Sequence, residues 1–206
     1  MFNSIRSKLI VFIVVLLVVV AGATMGAVLY FFTDYSDTNA KEMARSGVEG
    51  LHNLLEDSKN DMKARAIMLA ANPDVARAVE ARDTAQVLAV MDKILKEAPI
   101  DSVMITDNAG IVIARTHEQT KKGDSVITQN GVSEAIKGNA TSAIEPGTTV
   151  KLSAKAGAPV RNAQGQVIGV VSPGVTLSKN ETVDNAKKLF KVDTTLFLGD
   201  VRESTT

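Results

Sequence analysis

Residues 100–116, IDSVMITDNAGIVIART, decide the fold class. Val103 and Ile105 alternate with Ser102 and Met104, which is the period of a strand with one buried face. Asp107-Asn108-Ala109-Gly110 offers a turn, and residues 111–116 return with apolar and β-branched side chains. The stretch therefore predicts an antiparallel hairpin.

Toward the C-terminus, a polar loop leads to NGVSEAIKGN at 130–139, a short helix closed by Gly138 or Asn139. Three more strands are expected, Ser142–Glu145, Val150–Val160 and Val167–Thr176, the last two joined by Asn162-Ala163-Gln164-Gly165. Strand, strand, helix and a three-strand meander make an α+β unit with a mostly antiparallel sheet. From Lys179 the pattern restarts: KNETVDNAKKLFKV reads as a helix, DTTLFLGD as a strand entering a turn, and VRESTT as its return. A lone hairpin cannot bury its own face. A second module is therefore expected to begin here and to be cut short at Thr206.

Toward the N-terminus the texture is helical. Pro99 ends a helix whose Val87, Leu88, Met91, Ile94 and Leu95 share a face, and Asp83 and Thr84 offer its cap. Asn72-Pro73 breaks the preceding helix and starts a short one, since proline suits a first turn and disrupts an interior. From Tyr35 to Ala71, Met43, Val48, Leu51, Leu54, Leu55, Met62, Ala66 and Leu69 recur at helical spacing. Such a helix reaches roughly 55 Å.

Residues 9–32 carry no charge, and as a helix they span about 36 Å, enough to cross a bilayer. Arg6 and Lys8 precede this run and Asp34 and Asp37 follow it, which puts the short N-terminus in the cytoplasm. Ala21-Gly22-Ala23 is also an acceptable signal-cleavage site. The apolar run continues past it through Tyr30, Phe31 and Phe32, so a retained anchor is expected. Gly22 and Gly26 form a small-xxx-small pattern and are the expected helix contact of a homodimer.

Basic and acidic side chains number 23 each, so no global field points to nucleic acid. Cysteine is absent, and an extracytoplasmic domain without it relies on its core, as bacterial periplasmic modules do. With no thiol and only His52 and His117, there is no basis for a thiol nucleophile, a histidine triad or a histidine-rich metal site. No cofactor is implied, and a non-enzymatic role is expected. Binding is the better reading. Arg115 and His117 alternate along the second strand, and Lys151, Ser153 and Lys155 along the fourth, with Arg161 at its end. If these faces converge, they offer donors for a small carboxylate. The competing reading is that the lysines only solvate an outer sheet face.

MITDNAGIVIARTH, KGDSV and GAPVRNAQGQVIGVVSPGVTL, after a membrane helix and a long helix, resemble the periplasmic Cache sensor domains, extracellular relatives of the PAS fold. These occur in bacterial methyl-accepting chemotaxis proteins and in some sensor kinases. VDTTLFLGDVRESTT resembles the opening hairpin of a second Cache module. The resemblance implies the input half of a chemotaxis receptor, or alternatively of a histidine kinase or diguanylate cyclase, that binds an organic acid or amino acid. It reaches cytoplasmic signalling proteins only through output domains that this chain lacks. The expected organisation is a cytoplasmic tail (1–8), a transmembrane helix (9–32), a periplasmic helical stalk (33–98), a membrane-distal Cache module (99–178) and the start of a truncated one (179–206). The expected location is the bacterial inner membrane, with the bulk in the periplasm. A partner-binding protein without a small ligand is the reading from another class.

Overall fold

The computed structural model describes residues 5–96, 100–146 and 152–206. Its chain divides into two compact units, Met1–Ser46 and Gly47–Thr206. In the first, helix α1 (Ile5–Ala70) carries an 18-residue window of mean hydropathy 2.9, with none of it buried. It is long and apolar enough to cross a membrane. It runs unbroken through Tyr35 to Ala70.

In the second unit the C-terminal part of α1 is followed by α2 (Pro73–Glu80) and α3 (Thr84–Leu95). The cap expected at Asp83 is present, its Oδ1 accepting from Ala85 N at 2.8 Å, and the structure adds one at Asn72, whose Oδ1 accepts from Asp74 N at 2.8 Å. Pro99 lies outside the described residues. Of the apolar positions read onto one face of α1, Met62, Ala66 and Leu69 are buried, whereas Val48 is 69% exposed. Helical spacing alone did not place it.

Five strands form one antiparallel sheet in the order β2-β1-β5-β4-β3. They are β1 (Ser102–Asp107), β2 (Val112–Arg115), β3 (Thr141–Glu145), β4 (Ser153–Arg161) and β5 (Val167–Thr176), with α4 (Asn130–Ile136) between β2 and β3. The fourth strand starts at Ser153 in the described residues, and Val150 and Lys151 lie outside them. Both tight turns use one device. Asp107 Oδ1 accepts from Ala109 N and Ile111 N, Asn162 Oδ1 accepts from Gln164 N and Gln166 N, and Gly110 and Gly165 take positive φ.

Strand alternation divides the core. Val103, Ile105, Ala154, Ala156, Ala158, Val160 and Val171 pack beneath the helices against Met62, Ala66, Val75, Val79, Val87 and Met91. On the opposite face, Met104, Val112 and Val170 pack against Val126, Val132 and Ala135. Helix α4 can lie on β4 because Gly157 leaves room: a Cβ there would stand closer than 3.0 Å to the Gly131 carbonyl.

Helix α5 (Asn180–Phe190) and the hairpin β6 (Thr195–Leu198) and β7 (Val201–Thr205) complete the unit. Val183 and Leu196 join the main core. Phe190 and Val192 fit into a notch of α1, where a Cβ on Gly50 or Gly47 would collide with them. The fold class expected from the sequence, a long apolar helix followed by a mixed helix and antiparallel sheet unit, is what the structure shows.

Candidate functional site

Helix α4 covers only one end of the sheet's second face. At the other end that face carries small polar or minimal side chains, Ser102 on β1, Ser153 on β4, and Ser172 and Gly174 on β5, and they leave a cavity of about 290 Å³. The loop between β2 and α4 forms its roof with Glu118, Lys121, Asp124 and Gln129. This loop is held against the outer edge of β2: Gly123 N donates to Val112 O at 2.9 Å and Val126 N to Gly110 O at 2.9 Å.

Arg115, His117, Ser153 and Lys155 all line this cavity. Their situations differ. The Arg115 side chain is only 7% exposed and donates in bidentate fashion to Asp124, at 2.8 and 2.7 Å, and to Lys121 O at 2.7 Å. Its donors are largely used inside the protein, so it clamps the roof loop to β2. The same guanidinium holds the Asp124 carboxyl below the ordinary carboxylate range.

His117 was read onto the second strand, but β2 ends at Arg115 and His117 belongs to the loop beyond it. Burial, opposed by Glu118 and reinforced by Arg115, Lys155 and Lys121, keeps its pKa below the ordinary histidine value. The ring is thus neutral at pH 7. An unfolded chain takes up this proton at about pH 6.5. The His117 contribution to native stability is therefore constant above that pH and is lost as the pH drops from there toward the lower native pKa. His117→Gln is expected to flatten this part of a stability profile measured by urea unfolding. An unaltered slope would mean that the ring contributes nothing to it.

Lys155 makes no ion pair among the described residues and faces the cavity from β4. Lys151 lies outside the described residues. Arg161 is not at this cavity. It sits six residues beyond Lys155 on β4, about 20 Å along an extended strand, and the register shifts between Val160 and Arg161. There it donates to Gly165 O at 2.9 Å and Gly138 O at 3.3 Å.

Sequence reading missed Ser102, Ser172, Gly174 and the roof residues. The strand residues were legible as the alternating partners of buried Val103 and Val171. The roof residues lie in a loop without periodicity, so no pattern placed them.

No curated protein matches the chain by sequence. Among solved structures, the sensor domain of Escherichia coli DcuS is similar, with 17% identity, a TM-score of 0.53, and coverage of 67% of this chain and 98% of that one. The sensor domain of the Vibrio cholerae histidine kinase DctB is 12% identical with a TM-score of 0.61, covering 79% of this chain and 65% of that one. The periplasmic domain of Vibrio cholerae LuxQ is 15% identical with a TM-score of 0.51, over 78% and 76% of the two chains. At these identities the likeness is one of fold. The model of the dCache_3 family, described as the double sensory domain of two-component sensor kinase, matches residues 39–206. A match over that span takes in both the five-stranded sheet and the α5–β7 segment, and the chain belongs to the dCache_3 family of double sensory domains.

Proposed function

We propose that the chain is the input part of a membrane-anchored receptor that binds a small carboxylate in the cavity beneath residues 117–129. The observation that carries this reading is Lys155, a lysine without an ion pair among the described residues, beside a neutral His117 in a cavity of about 290 Å³. An ammonium and an imidazole N–H suit a carboxylate. An organic acid fits better than an amino acid. Glu118 and Asp124, the carboxylates of the lining, already face Lys121 and Arg115, which leaves a ligand ammonium without a dedicated acceptor.

Among the described residues of the lining, His117 faces Glu118 at 3.9 Å and no serine or threonine hydroxyl is hydrogen-bonded to it, which supports binding rather than catalysis. The charge flanks of residues 9–32 support anchoring by α1 with its N-terminus in the cytoplasm, and an inner-membrane anchor with the sheet unit in the periplasm is part of this reading. Pairing of two chains through Gly22 and Gly26 belongs to the same reading. For the output, the family description favours a two-component kinase over the chemotaxis receptor.

A thermal-shift screen of the full chain against organic acids and amino acids tests this. A ligand that binds only the native state, present at about 100 times its Kd, adds roughly 2.7 kcal/mol of stability. Lys155→Met is expected to weaken the best acid by about tenfold or more, in line with the loss of one charged hydrogen bond. No shift with any acid would overturn the carboxylate reading and favour a partner-binding module.

A further inference from the structure

A second depression lies away from this cavity. Strand β3 pairs with β4 from Ser153 to Gly157, so among the described residues Ala158–Arg161 has no strand beside it on that edge. The space there, about 610 Å³, is walled by Ile67 and Ala70 of α1, Ala71, Ala76 of α2, and Pro159 of β4. Every one of these side chains is apolar.

Arg161 stands at this groove, and its guanidinium is fixed by two backbone carbonyls, Gly138 O and Gly165 O. Carbonyls orient a guanidinium without neutralising it. Two of its five N–H donors are used, and no carboxylate pairs with it among the described residues. The other charges of the lining are Arg77, which is bonded to Asp74, and Glu80. Among the described residues, no ion pair holds Glu80. The groove thus joins an apolar trough to a positioned, uncompensated planar cation. That combination complements an amphipathic anion, since apolar walls take up the body while the guanidinium donates to a carboxylate, which accepts bidentately.

We infer that this groove is a second binding site, for a small amphipathic monocarboxylate with an aryl or short alkyl body, separate from the polar cavity around Lys155. The apolar body distinguishes its ligand from the compact acid of the other cavity, whose walls are mostly polar.

The test is calorimetric titration of the full chain in detergent with 3-phenylpropionate, using detergent alone as the blank and 3-phenylpropanol and 3-phenylpropylamine as matched probes. The carboxylate is expected to bind and the two matched probes to bind at least tenfold more weakly. Arg161→Met is expected to weaken 3-phenylpropionate at least tenfold. Ala71→Leu, a change at an exposed position that fills the trough, is expected to do the same. Lys155→Met is expected to leave this binding unchanged.

Equal binding of the amine would place the ligand on Glu80 and overturn the assignment. Loss of binding in Lys155→Met with retention in Arg161→Met would move the ligand to the polar cavity and overturn it as well. Absence of binding by 3-phenylpropionate would remove the site.

Discussion

Gly157→Ala is expected to destabilise the sheet unit by about 3 kcal/mol, the upper part of the usual range for overpacking. The added methyl would stand closer than 3.0 Å to the Gly131 carbonyl, which is backbone and cannot swing aside as a side chain can. Helix α4 would have to lift from β4, and Val132 and Ala135 would lose contact with Val170. Urea unfolding measures this as a lower midpoint. Because the roof loop runs directly into α4, the same variant is expected to loosen the cavity. A midpoint within experimental error of the parent would show that α4 does not rest on β4 through this glycine.

Arg115→Ala is expected to cost about 2 kcal/mol, chiefly through loss of three charge-assisted hydrogen bonds and of the packing of a buried stem. The figure stays below that for a fully buried pair because Asp124 is 43% exposed and regains water once its partner is gone. The roof loop is then released, so the amides of Gly123 and Val126 should exchange much faster with deuterium. Arg115→Lys is expected to rescue little, since an ammonium cannot reproduce the fork. The pair also has a pH signature. Asp124 has a lowered native pKa, so its contribution is complete above the ordinary aspartate value, about 3.9, and is lost as pH falls through the native pKa. Slow exchange of Gly123 and Val126 in Arg115→Ala would show that the loop is held by its backbone bonds alone.

Most of the architecture was legible because the sheet obeys its period. Val167–Thr176 is a strand over the range expected for it, and Asp83 caps the helix that follows it. Legibility failed where a long-range contact decides. Val48 has helical spacing yet faces outward, because the neighbouring Gly47 and Gly50 are the positions that meet Val192 and Phe190. In the site, alternation brought Ser153 and Lys155 to one cavity with Arg115. It carried no information on the role of Arg115, since Asp124 is nine residues away in a loop without pattern. Arg161 was misplaced because parity says which face a side chain takes and nothing about how far along the strand a cavity extends.

The notch in α1 limits how the helix can move within its own unit. A slip by one turn, about 5.4 Å, would bring Met43 and Ser46, or Leu51 and Leu54, to the places where Gly47 and Gly50 receive Val192 and Phe190. None of these residues leaves the space that a glycine leaves. Any stroke of α1 past α5 that keeps the notch filled must be shorter than a turn, or take the form of a rotation or tilt about it. The glycine pair therefore acts as a mechanical stop, and an engineered disulfide across it should be tolerated by a rocking helix and should jam a sliding one.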